Sequence, residues 1–167
     1  MNQFAVVTPV PEIIEAFIFN NILKKILDRS ALEIKIFNLR DYGIGKYKQI
    51  DDAPYGGGGG MILKPEPLFR AIEVAMNWIK IKEGIRVILT APGGQKWDQS
   101  VAEKFSKVKN VIILCGHYKG IDERVIKKYV TNEFSIGDFI MTNGEIPSMT
   151  ILDSIIRLIP GTLTVSY

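Results

Sequence analysis

The chain has 167 residues, 47% hydrophobic and 23% charged, with 21 basic against 18 acidic side chains and a net charge of +3. That composition supports one packed domain and excludes a disordered chain, while the mild basic excess permits a polyanionic partner without demanding one. Cys115 and His117 are the only residues of their kinds, which excludes an internal disulfide and a Cys/His zinc centre, so no metal site is expected.

Residues 4–8 (FAVVT) read as a buried strand. Pro11 then opens a helix that places Ile13, Ile14, Phe17, Ile18, Ile22 and Ile26 on one face. Residues 32–37 (LEIKIF) alternate apolar and charged groups, as a strand with one wet face does. Residues 39–61 form a long irregular segment rich in Tyr, Gly, Asp and Lys, a length that marks a functional loop or a disordered one. A helix over 68–79 is entered through Pro65 and Pro67. Residues 86–90 (RVILT) are a strand, broken by the turn 91–94 (APGG).

A helix over 100–108 leads to a buried strand at 111–115 (VIILC) and a loop at 116–120. Residues 122–130 are helical, with Asp122 and Glu123 at the positive end of the dipole. Residues 134–141 hold one or two short strands, and a helix over 146–159 ends at Pro160-Gly161. Strands alternating with helices predict an α/β domain with a mostly parallel sheet. The apolar runs 111–115 and 151–159 are too short or too interrupted to cross a bilayer. With no N-terminal signal pattern, the expected setting is the reducing cytoplasm.

In an open parallel sheet, ligands bind beyond the carboxyl ends of the strands. Three glycine-bearing turns leave such ends here, at 91–94, 116–120 and 137–144. They converge on one small polar ligand, or they are ordinary turns in which glycine supplies positive φ. The run of five glycines at 56–60 matches neither a phosphate loop nor a dinucleotide fingerprint, because Met-Ile-Leu-Lys follows it. A flexible linker is the plain alternative. Apolar flanks and an unchanged composition favour a loop that brings bare backbone against a flat ring.

Four segments carry a more specific signal: DDAPYGGGGGM at 51–61, CGHYKGIDER at 115–124, EFSIGDF at 133–139 and NGEIPSM at 143–149. In order and spacing they resemble the bacterial tRNA (guanine-N1)-methyltransferases of the SPOUT superfamily, the TrmD family. The likeness runs from the first strand to about Pro160-Gly161, so residues 1–161 are expected to form the SPOUT methyltransferase domain. Residues 162–167 are expected to begin an interdomain linker or a truncated tail. The resemblance implies a parallel sheet flanked by helices with a C-terminal deep trefoil knot, a homodimer, S-adenosylmethionine as cofactor, and methylation of N1 of the guanosine at tRNA position 37, 3′ of the anticodon.

By the same resemblance the cofactor meets Leu89, Thr90, Pro92, Gly116, Tyr118, Ser135, Ile136, Gly137, Asp138, Phe139, Ile140, Met141, Gly144 and Pro147. For Leu89, Phe139 and Met141 the competing reading is plain core packing. The target base meets Asp51, Tyr55, Gly59 and Gly60. Arg157 assists by steadying the purine oxygen, although a solvent-facing helix arginine is the competing reading. The general-base aspartate is expected beyond Tyr167, and these 167 residues are expected to lack the family's tRNA-gripping C-terminal domain and so to be weak or inactive alone. Three positions depart from the family pattern: Gly59 where proline is common, Lys119 where glutamate is common, and Asn143 where glycine is common. The alternative function is a non-catalytic dimeric module that binds S-adenosylmethionine or RNA.

Overall fold

The computed structural model describes residues 1–19, 21–29, 31–54, 56–117 and 119–162. In chain order its strands are β1 (Asn2–Thr8), β2 (Leu32–Asn38), β3 (Asp51–Asp52), β4 (Ile62–Leu63), β5 (Arg86–Lys96), β6 (Asn110–Leu114) and β7 (Asn132–Ser135). Its helices are α1 (Pro11–Ile18), α2 (Asn21–Arg29), α3 (Pro65–Trp78), α4 (Gln99–Phe105), α5 (Glu123–Tyr129) and α6 (Glu145–Ile156). A short 3-10 helix spans Leu39–Tyr42.

Five strands form one parallel sheet in the order β2-β1-β6-β5-β7. Side chains alternate across a strand, so a sheet covered on both sides needs apolar residues at nearly every position. β1 and β6 meet that demand. Phe4, Val6, Val111, Ile113 and Cys115 pack on one side, with Ile14 and Ile18 of α1, Leu23 and Ile26 of α2, Val101 and Phe105 of α4, and Ile151 to Ile156 of α6. Ala5, Val7, Ile112 and Leu114 pack on the other, with Leu68 to Ala75 of α3 and Val125 of α5. At the edge strand β2 only Leu32 and Phe37 are buried and Lys35 is exposed, as its mixed sequence requires.

Several expected boundaries shift. The helix opened by Pro11 becomes two, α1 ending at Ile18 and α2 beginning at Asn21. Ile22 is 56% exposed rather than sharing the buried face of Ile18 and Ile26. α4 starts at Gln99, where Asp98 accepts the Val101 N–H at 3.0 Å as N-cap, and it stops at Phe105. α6 runs from Glu145 to Ile156, not 146 to 159, and the Thr162 hydroxyl bonds back toward the carbonyls of Ile156 and Ile159.

β5 does not end at Thr90. Thr90 and Gln95 both pair with Phe134, so residues 91–94 bulge out and the strand then resumes. Gly94 permits the return, because a Cβ there would lie 2.6 Å from the Phe134 nitrogen. β7 stops at Ser135, and among the described residues 136–141 hold no strand. No described helix is long and apolar enough to cross a membrane.

Candidate active site

The bulge within β5 and the carboxyl ends of β6 and β7 open onto a cleft of about 540 Å³. That volume suits a small organic ligand. Of the cofactor residues expected from sequence, Leu89, Thr90, Pro92, Gly116, Ser135, Ile136, Gly137, Phe139, Ile140, Met141, Gly144 and Pro147 all line it. Asp138 is exposed and off the lining, and Tyr118 lies outside the described residues. Leu89 is buried in the core as well as lining the cleft, whereas Phe139 is 55% exposed, so core packing does not account for Phe139.

The walls are held together by close backbone approach. The Gly144 N–H donates to the Gly116 carbonyl at 2.6 Å, and the Gly116 N–H donates to Thr90 Oγ1 at 3.3 Å. A Cβ on Gly144 would fall 2.4 Å from the Gly116 nitrogen and 2.5 Å from Thr90 Oγ1. The three turns that sequence singled out are thus pinned to one another at a point where only glycine fits. Ser135 Oγ donates to the Gly137 carbonyl at 2.9 Å and tightens the turn after β7.

No residue of the glycine run lines this cleft; the run neighbours Lys119, which does. β3 and β4 bracket the run as an antiparallel pair, with Asp51 opposite Leu63. Lys119 N–H donates to the Met61 carbonyl at 3.1 Å, and Leu63 N–H donates to the Gly120 carbonyl at 3.2 Å, stitching the run to the turn after β6. Gly56, Gly57, Gly58 and Gly60 have φ of 87°, 79°, 108° and 100°, which answers why side chains are missing there. Gly59 needs no such φ, and both Gly59 and Gly60 are exposed. The Lys119 stem crosses Gly60, its Cε 2.8 Å from where a Cβ would sit. Tyr55 lies outside the described residues.

Arg157 is not brought to the cleft of its own chain. It is exposed at the C-terminal end of α6, whereas Gly144 and Pro147 stand at the other end. At the rise of an α-helix those ends are about 20 Å apart.

Sequence reasoning missed a buried polar group beneath the cleft. Glu145, fully buried, has both carboxylate oxygens 2.7 Å from His117 Nε2 and accepts the Thr8 hydroxyl at 2.5 Å. Beside it, Cys115 Sγ donates to Ser148 Oγ at 3.2 Å, and Ser148 donates to the Gly144 carbonyl. Burial pushes the Cys115 thiol up, and the Glu145 charge adds to it. An acid in the first turn of a helix reads as a dipole-favoured surface residue, so nothing local announces this burial. The sole histidine next to a glycine turn was the only available signal.

A cleft at the carboxyl ends of parallel strands, walled by glycine turns, defines an α/β ligand-binding domain. The chain belongs to the tRNA (Guanine-1)-methyltransferase TrmD family, whose model matches residues 2–166. It is 46% identical over 156 residues to a tRNA (guanine-N(1)-)-methyltransferase of Staphylococcus epidermidis, covering 93% of this chain and 62% of that protein. It is 45% identical over 163 residues to the protein of that name from Dictyoglomus turgidum, covering 98% and 64%. The structure superposes on the crystal structure of tRNA (m1G37) methyltransferase from Aquifex aeolicus with a TM-score of 0.87 at 36% identity, covering 99% of this chain and 73% of that one. The chain therefore spans under two thirds of the length of these curated relatives.

Proposed function

We propose that this domain binds S-adenosylmethionine in the cleft and directs its methyl group to N1 of a tRNA guanosine, at position 37. The observation that carries the reading is the convergence of three glycine-bearing turns on one cleft, with the exit of the glycine run stitched to the turn after β6. The residues fit the cofactor: Leu89, Ile136, Met141 and Pro147 offer apolar walls to an adenine ring, and Gly116, Gly137 and Gly144 keep Cβ atoms out of the cradle. When bound, the cofactor supplies an activated methyl on a sulfonium leaving group. The protein's own task is alignment, which contributes up to roughly 7–11 kcal/mol in favourable systems.

In this reading the guanine stacks beside Gly59 and Gly60, with Asp51 and Tyr55 at the same pocket. Backbone without Cβ atoms lets a flipped base come close. Loss of the N1 proton calls for a positioned base, assigned to an aspartate downstream of Tyr167. Residues 137–147 are proposed to thread the trefoil knot, a reading supported by the wedging of Gly144 between Thr90 and Gly116. A homodimer accounts for Arg157: lying about a helix length from its own cleft, it would serve the cleft of a second copy. The expected partner is tRNA and the expected compartment the cytoplasm.

The test is methyl transfer from labelled S-adenosylmethionine to an unmodified tRNA transcript, run with this chain and with a longer version carrying the downstream aspartate. N1-methylguanosine at position 37 is the expected product. Cofactor binding with no transfer by either version would instead identify a non-catalytic binding module.

A further inference from the structure

We infer that Glu145 is a positioning residue of this site. Its buried carboxylate acts through His117 to hold the turn after β6, and that turn sets both the cofactor wall and the glycine run. The inference rests on the cleft being the cofactor site, as proposed above.

A buried carboxylate is costly unless its oxygens are satisfied. A helix gains its dipole benefit from an exposed acid equally well. The burial of Glu145 at the first position of α6 therefore needs another reason, and its partners supply one. Thr8 Oγ1 accepts the Val10 N–H at 3.0 Å, so its own proton is directed to Glu145. Among the described residues the other donor is His117 Nε2, which faces both oxygens. A carboxylate only accepts, so the shared hydrogen sits on Nε2 and the imidazole orientation is fixed.

His117 lines the cleft, and the backbone on either side of it makes the decisive contacts. On one side, Gly116 is bonded to Gly144 and Thr90. On the other, Gly120 N–H donates to the His117 carbonyl at 2.9 Å, Lys119 bonds Met61, and Gly120 bonds Leu63. A single buried ion pair or hydrogen-bonded pair thus ties the start of α6 to the exit of the glycine run. Through it, the cofactor wall and the base-side loop share one support, anchored to β1 at Thr8.

The experiment uses this chain with Glu145→Gln, His117→Asn, the double variant, and Thr150→Ala on the exposed side of α6 as control. Three readouts are taken: urea melts, calorimetric titration with S-adenosylmethionine, and amide hydrogen exchange without ligand. Each single variant is expected to weaken cofactor binding about 10-fold, the scale on which a lost buried partner acts. The double variant should be no weaker than either single one, because both remove the same link. Exchange should rise at Leu63, Lys119 and Gly120 while β1 and β6 stay protected. The lone histidine gives one set of imidazole resonances, and these should move in Glu145→Gln. Thr150→Ala should match wild type.

Unchanged affinity and unchanged exchange at those three amides in a folded Glu145→Gln would overturn the inference. So would exchange that rises equally throughout the molecule, which signals lost stability alone. Should Glu145→Gln not fold, His117→Asn decides by the same readouts, since its shorter side chain keeps a polar group but withdraws the nitrogen that reaches Glu145. If wild type shows no heat with S-adenosylmethionine, the proposed function fails, and the exchange pattern in the ligand-free variants still judges Glu145.

Discussion

Replacing Gly144 by alanine adds one methyl group where three chain segments meet. The backbone itself accepts alanine, since φ is −87°. Such a change would by itself stabilise by about 0.4–1 kcal/mol through the unfolded state. The new Cβ, however, would stand 2.4 Å from the Gly116 nitrogen, 2.5 Å from Thr90 Oγ1 and 2.8 Å from the Gly116 oxygen. Two of these contacts are backbone atoms that cannot swing aside. Overpacking of this kind costs about 1–3 kcal/mol. The Gly144 to Gly116 hydrogen bond competes for the same space, and its loss adds about 0.5–1.5 kcal/mol.

The net expectation is a loss of about 2 kcal/mol, which at a urea m-value of about 2 kcal/mol/M lowers the midpoint by about 1 M. Gly93→Ala is the matched control, with nothing within 4 Å of its Cβ and no positive φ. It should stay within about 0.5 kcal/mol of wild type. Urea melts followed by circular dichroism, with cofactor titration in parallel, measure both effects. Gly144→Ala that melts like wild type and binds cofactor equally well would refute the claim that the three turns are pinned at this glycine.

Gly60→Ala meets both a strained φ of 100° and the Lys119 stem, so it should impair binding of an anticodon stem-loop while leaving S-adenosylmethionine affinity within about 3-fold, the separation a calorimeter resolves easily. Cys115 holds its proton more tightly folded than unfolded, because burial and then the Glu145 charge raise its pKa. That contribution is intact below the ordinary thiol range of about 8.5 and drains away as pH rises beyond it. Urea midpoints should therefore fall more steeply between pH 8 and 10 for wild type than for Cys115→Ala, and native Cys115 should resist thiol reagents. Asp122 accepts hydrogen bonds from the Arg124 side chain and caps α5, which together hold its carboxyl below the usual range. Asp122→Ala should cost about 1–2 kcal/mol at neutral pH. That difference should shrink in melts at low pH, as the wild-type carboxyl is titrated through its depressed folded value.

The sheet was legible because its demands are local. The strands at 4–8 and 111–115 are apolar on both sides, and nothing but a doubly covered sheet uses such runs. α5 was legible from Asp122, its N-cap, whereas the prediction of 68–79 for α3 falls short of its start at Pro65, the first of the prolines read as its entry. The return of β5 after residues 91–94 was not, because Ala-Pro-Gly-Gly reads as a terminator and only pairing with Phe134 on β7 rescues the strand. The turns that line the cleft stood out in sequence through their glycines and their motif resemblance. Glu145 was missed because its partners lie 28 and 137 residues away, at His117 and Thr8. Long-range burial of this sort leaves no periodic trace.

The most direct measurement is titration of the isotope-labelled chain with S-adenosylhomocysteine, the demethylated product, followed by backbone amide resonances. The account predicts saturable, concerted shifts at Thr90, Gly116, Gly137 and Gly144, all of which line the cleft. Shifts confined to a surface remote from these turns, or none at all, would contradict it.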